Sequence, residues 1–236
     1  MSTIKKQLLE IKNRISSAVK KYDRPNHSVH LLAVSKTWPS NLLREAAMAG
    51  QTSFGENYLQ EALVKINDLA DLDLQWHFIG PIQSNKTSDI AKHFDWVQSV
   101  DRIKIAQRLS KQRPIELADL NICIQVNIDN EISKSGVSSA NLMAFAEQVN
   151  QIERLTLRGL MIIPAKTDDP EKQRAAFKHV HQLFTQLADL YPTVDTLSMG
   201  MSDDMDIAIS QGSTLVRIGT ALFGKRPTPA PSGQVH

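Results

Sequence analysis

Eight short, nearly continuous apolar runs, most of them separated by stretches of helical periodicity, constrain this chain more than any other feature. The runs are Val29 to Lys36, Ser53 to Glu56, Leu74 to Ile79, Trp96 to Val100, Leu120 to Ile128, Leu157 to Ile163, Thr196 to Met199 and Leu215 to Phe223. Helical spacing covers Asn41 to Ala49, Tyr58 to Leu69, Ile103 to Ser110, Ala140 to Ile152 and Glu171 to Leu190. Strands that are apolar throughout, rather than alternating with period two, are what burial by helices requires. An extra helix comes first, with Ile4, Leu8, Ile11, Ile15, Ala18 and Tyr22 on one face until Asp23-Arg24-Pro25 stops it. Eight units behind that helix predict an α/β fold, a single (β/α)8 TIM-type barrel. An open doubly wound sheet would show the same alternation and is the competing architecture.

A barrel of this type consumes about 250 residues, which matches the 236 of this chain. No Pro/Gly/Ser linker divides it, so residues 1–225 are expected to form one domain, with residues 1–24 as the extra helix. Residues 226–236, with Pro227, Pro229 and Pro231, have little to bury and are expected to be a flexible tail. Lys and Arg total 27 against 25 Asp and Glu, a net charge of +2 that is too balanced for a phosphate-backbone binder, so no nucleic acid is expected. The longest apolar stretches fall far short of the roughly 20 residues that span a bilayer, and no apolar h-region follows the N-terminal charges, so no leader is expected. No membrane association is expected, and the protein reads as cytoplasmic. The single cysteine, Cys123, sits within an apolar run and is assigned no chemistry.

Sites in such barrels lie where strands end, so the residue closing each run carries the functional information. Lys36 follows Leu31-Leu32-Ala33-Val34-Ser35, at the predicted mouth. Desolvation there would free its amine as a nucleophile for an aldehyde, although a lysine snorkelling out of a strand end accounts for the position equally simply. Near the other end of the chain, Ser198-Met199-Gly200-Met201-Ser202 closes the seventh run, with Ser202 the expected N-cap of a helix over Asp203 to Gln211. Val216-Arg217-Ile218-Gly219-Thr220 follows. Two small-residue turns after strands seven and eight occupy the usual phosphate position. Asp203, Asp204 and Asp206 read as partners of a helix dipole whose side chains point away from an anion, and no metal site is expected. A lysine opposite a phosphate cradle describes a Schiff-base site for a phosphorylated aldehyde, and pyridoxal 5′-phosphate (PLP) is such a cofactor.

The segments Ala33-Val34-Ser35-Lys36-Thr37, Phe54-Gly55-Glu56-Asn57-Tyr58, Trp76-His77-Phe78-Ile79-Gly80-Pro81-Ile82-Gln83-Ser84-Asn85-Lys86, Gly159-Leu160-Met161, Leu197-Ser198-Met199-Gly200-Met201-Ser202 and Val216-Arg217-Ile218-Gly219 carry a family resemblance. In content and order they resemble the YggS/PROSC family of pyridoxal phosphate homeostasis proteins. The resemblance implies a barrel like the N-terminal domain of alanine racemase, with Lys36 as the Schiff-base lysine. It implies phosphate contacts from Ser198, Gly200, Ser202, Gly219 and Thr220, and Arg217 facing the pyridine nitrogen. It places Asn57 and His77 near the cofactor and Met161 beneath its ring. By residue type alone, Asn57 reads equally as a turn residue, His77 as a satisfied interior histidine, and Met161 as core. Glu56 would tune Lys36 or make a structural bond. Lys134 resembles a family loop lysine that receives cofactor in transit, and Trp38 stands where some relatives carry a second lysine.

Three functions compete. The resemblance favours a protein that stores, protects and delivers PLP, with no catalytic residue and with apo-enzymes as recipients; a monomer is expected because no extra domain is read. A PLP-dependent amino-acid racemase would need a second base, and none is evident at a matched position. In alanine racemase that base comes from a separate C-terminal domain, and behind the run ending at Phe223 only a thirteen-residue tail is read, so no such domain is expected. A Schiff-base phosphosugar lyase would need a general acid or base beside the lysine.

Overall fold

The computed structural model describes residues 2–129, 135–165 and 167–224. Lys134 and the 226–236 tail lie outside them. Among the described residues nine strands form one parallel sheet: β1 (His30–Val34), β2 (Ser53–Glu56), β3 (Gln75–Phe78), β4 (Trp96–Val100), β5 (Leu120–Asn127), β6 (Val137–Ser138), β7 (Leu155–Ile162), β8 (Thr196–Ser198) and β9 (Leu215–Ile218). Their order is β4-β3-β2-β1-β9-β8-β7-β5-β6, and a further pairing of β4 with β5 closes eight of them into a barrel, with the two-residue β6 appended to β5. Closure selects the barrel over the open sheet. It also brings the two ends of the chain together, since β1 pairs with β9 in the register Leu32 to Arg217.

Helices α1 (Thr3–Lys21), α2 (Ser40–Met48), α3 (Leu59–Asp68), α4 (Thr87–His93), α5 (Ile103–Gln112), α6 (Leu142–Asn150), α7 (Pro170–Leu190), α8 (Met205–Ser210) and α9 (Thr220–Phe223) surround it. The main core lies between helices and strands, where Leu43, Phe54, Phe94, Leu109 and Phe177 are fully buried. Helix α1 is capped by the Ser2 hydroxyl and lays Ile4, Leu8, Ile11, Ile15, Ala18 and Val19 against α2, α8 and α9.

Three local expectations need correction. The eighth run stops at Ile218, and residues 220–223 turn into α9, because the strand is needed only as far as its pairing with β1. Helix α8 starts at Met205 behind Asp204, so Ser202 is no N-cap; the Asp204 carboxylate instead turns back to accept from the Met201 N–H at 2.5 Å. Helix α4 has no counterpart in the sequence reading, since its seven residues bury only Thr87, Ile90 and Ala91, too few to show a period. No described helix is long and apolar enough to cross a membrane.

Candidate functional site

Lys36 stands just beyond β1, and its two neighbours are held by a cluster behind the barrel wall. The Lys65 ammonium, on the buried face of α3, donates to the Ser35 carbonyl at 2.7 Å, to Glu56 at 2.7 Å and to Glu61 at 2.5 Å. Glu61 also accepts from the Thr37 N–H at 2.5 Å. Thr37 has a φ of 71°, a left-handed conformation that a β-branched residue adopts only when its surroundings impose it. The Ser35 hydroxyl donates to Glu56 at 2.6 Å. Glu56 is fully buried, and desolvation raises its pKa above the usual carboxylate range even beside the Lys65 charge. Glu56 therefore serves Lys65 and Ser35, and the sequence reading missed Lys65. Its signal was present: a lysine at the core position of the stripe Leu59, Ala62, Lys65, Leu69.

A cavity of about 490 Å³ at this mouth is lined by Lys36, Asn57, Met161, Ser202, Arg217, Gly219 and Thr220. Seven of the ten predicted binding residues thus meet in one place. Gly219 permits the approach of β9 to β1, since a Cβ there would lie 3.1 Å from the Val34 carbonyl oxygen. Gly200, at φ 98°, makes the turn after β8, and a Cβ would lie 2.6 Å from that of Ala208. The Asn57 Oδ1 is buried without a hydrogen-bond partner. Asp203, expected to point away, lines the cavity, whereas Asp204 bonds Gln173 and Met201, and Asp206 pairs with Arg14.

Ser198, Gly200 and His77 are not in that wall. Arg217, 5% exposed, donates to the Ile162 carbonyl at 2.7 Å, the Ser198 carbonyl at 2.8 Å and the Ser198 hydroxyl at 2.7 Å. Burial pulls its pKa down to about 10, which leaves it charged at neutral pH. The Ser198 hydroxyl donates to Gln98 Oε1 at 2.7 Å, and Gln98 Nε2 lies 2.8 Å from His77 Nδ1. His77 Nε2 lies 3.0 Å from Gln75 Oε1. Because an arginine only donates, each following donor points the same way. Gln98 donates to Nδ1, and His77 carries its proton on Nε2. Complete burial lowers the His77 pKa to about 3, so the ring stays neutral. His77 is thus a satisfied interior residue below Arg217. Gln98, in a strand buried at every position, gave no signal that it faced the interior.

Cys123 is fully buried, and desolvation pushes its thiol well above the ordinary range, consistent with no chemistry. Trp38 stacks on Phe223 at 6.0 Å between ring centroids. Among the described residues no group of His, Cys, Asp or Glu could hold a metal ion.

Residues 7–227 match the family model of the alanine racemase N-terminal domain. The chain is 56% identical over 232 residues to the pyridoxal phosphate homeostasis protein of Pseudomonas aeruginosa, covering 98% of this chain and 100% of that one. It is 48% identical over 229 residues to the protein of the same name from Escherichia coli K12, covering 96% and 98% of the two chains. Among solved structures, PipY of Synechococcus elongatus with PLP bound superposes with a TM-score of 0.81 at 35% identity, covering 94% of this chain and 100% of that one. These matches run through the strands, the Lys36 mouth and both small-residue turns, and the chain belongs to the pyridoxal phosphate homeostasis protein family, built on the alanine racemase N-terminal barrel.

Proposed function

We propose that this chain binds PLP in the Lys36 cavity, with residues 1–225 as one binding unit, and takes part in PLP homeostasis by storing, protecting and delivering the cofactor. The observation that carries the reading is the convergence of a strand-end lysine, a buried guanidinium and two small-residue turns on one cavity. In this reading the Lys36 amine bonds the cofactor's aldehyde carbon as a Schiff base, and the carbonyl oxygen leaves as water. Ser202, Gly219 and Thr220 hold the phosphate. The unpartnered Asn57 Oδ1 accepts from a ring hydroxyl, and Met161 packs against the ring. Ser198 and Gly200 act from behind, one orienting Arg217 and the other shaping the turn to Ser202.

Bound PLP supplies an electrophilic carbon and an electron-withdrawing ring. Arg217 donates toward the pyridine nitrogen and, being a permanent cation at neutral pH, opposes its protonation. The ring is then a weak electron sink, suited to holding the aldehyde rather than to carbanion chemistry. Besides Lys36, the proton-accepting side chain lining the cavity is Asp203. Monomeric action in the cytoplasm and release of cofactor to apo-enzymes complete the reading.

The test is spectroscopic. Purified full-length protein loaded with PLP should be yellow, borohydride should fix the cofactor on Lys36, and Lys36→Ala should lose both colour and adduct. Amino acids should not be turned over. Robust racemisation abolished by Lys36→Ala would overturn the carrier reading in favour of a racemase. Trapping of Lys36 only by a sugar phosphate would favour a lyase.

A further inference from the structure

The opposite end of the barrel opens into a second cavity of about 440 Å³, lined by Arg24, Ser28, His77, Trp96, Arg158 and Asp195 among others, and sharing no residue with the Lys36 cavity. We propose that this base cavity binds a small oxyanion, a phosphate or a carboxylate.

Two polar atoms of its lining residues, Trp96 Nε1 and Ser28 Oγ, are buried and have no hydrogen-bond partner. Trp96 is only 6% exposed, and its ring is fixed by parallel stacking with His77 at 5.1 Å and by the Arg158 guanidinium at 4.8 Å. Its N–H is therefore a donor that cannot swing out to water. Arg24 adds a charge. Its Nη1 donates to the Ile209 and Ser213 carbonyls at 3.1 and 2.6 Å, and among the described residues it has no carboxylate partner. Burial without a counter-ion lowers its pKa, the same desolvation that an entering anion would relieve.

The acid in the wall does not supply that anion. Asp195 is held bidentately by Arg158 and accepts from the Thr196 hydroxyl at 2.7 Å. An unanswered cation, a fixed N–H and a hydroxyl select a ligand with several acceptor oxygens and negative charge. A cation would meet Arg24 and Arg158, and an apolar molecule would leave both orphaned atoms as they are.

The test follows the Trp96 indole N–H in 15N spectra of the full chain, recorded both with and without added PLP. The protein has three tryptophans, so Trp96→Phe assigns the signal, or Trp38→Phe and Trp76→Phe together if that variant does not fold. Inorganic phosphate and acetate are titrated separately against sodium chloride at matched ionic strength. The expected result is a saturable shift with phosphate, acetate or both, weakened at least tenfold by Arg24→Gln and unchanged by Lys36→Ala. Phosphate alone would define a phosphate site, and response to both a general oxyanion site. No shift, a shift that chloride reproduces, or saturation that survives Arg24→Gln would overturn the proposal. Lys36 takes no part in this readout, so failure of the cofactor reading would leave it intact.

Discussion

At the mouth of the barrel, Lys36 stands on the turn beyond β1, and the groups that hold its neighbours Ser35 and Thr37 lie behind the barrel wall, in Lys65, Glu56 and Glu61. At the base, Arg158, Asp195, Trp96 and His77 hold one another. The mouth therefore keeps its lysine as a lining group backed by a structural ion cluster, whereas most of the base's polarity is spent on itself. Between the two runs the chain Arg217–Ser198–Gln98–His77–Gln75, whose donors all point toward the base. The difference shows that a barrel can bury the same residue types as support at one end and as part of a binding surface at the other, depending on what stands behind them.

The sharpest way to break this contrast is Lys65→Met, which removes the support of the mouth and leaves the base alone. A buried ion pair losing one partner typically costs about 3–5 kcal/mol, so the urea midpoint should fall by that equivalent, and PLP retention should fall with it. A variant as stable as the wild type would mean that the cluster carries little of the strand end.

Acid should act on the lower half. His77 is neutral in the fold, with a pKa near 3 against an ordinary 6.5, so the unfolded chain takes up a proton that the folded chain refuses. Stability is therefore lost as pH falls from about 6.5 toward 3, by up to roughly 1.4 kcal/mol per pH unit from this group. The stability of His77→Gln, measured across the same window, should fall less steeply. Equal slopes would mean that His77 is protonated in the folded protein.

Gln98→Leu cuts the connection between the ends. It leaves the Ser198 hydroxyl without its acceptor and His77 Nδ1 without its donor, at a cost of about 1–3 kcal/mol. Arg217 loses part of its support, so the absorbance of bound PLP should shift while Lys36 remains reactive. An unchanged spectrum would show that Ser198 and the Ile162 carbonyl suffice to place Arg217. The smallest effect belongs to Cys123, which should react with a thiol reagent only under unfolding conditions, at either end's expense equally.

The strand and helix alternation was legible because each element shows its own period within a few residues. Lys36 was legible because it closes an apolar run, and the two turns because Gly200 and Gly219 stand out beside hydroxyl residues. Helix α4 was too short to show a period, and the eighth run showed no sign of its break, since Ala221, Leu222 and Phe223 are as apolar in a helix as in a strand. His77 and Ser198 belong to matched segments, yet their height in the barrel depends on register, which the segments themselves do not contain.

The sequence by itself determined the barrel class, the strand-end lysine and the small-residue turns, because propensity, periodicity and turn chemistry are local. Only the tertiary structure decided which of those residues share a cavity, why Lys65 is buried, and that Gln98 links Ser198 to His77. Those facts follow from closure, which sets Leu32 beside Arg217 and His77 beside Trp96 through pairings between strands. A side chain's partners across the barrel are fixed by register and strand order, and neither is written in the residues on either side of it.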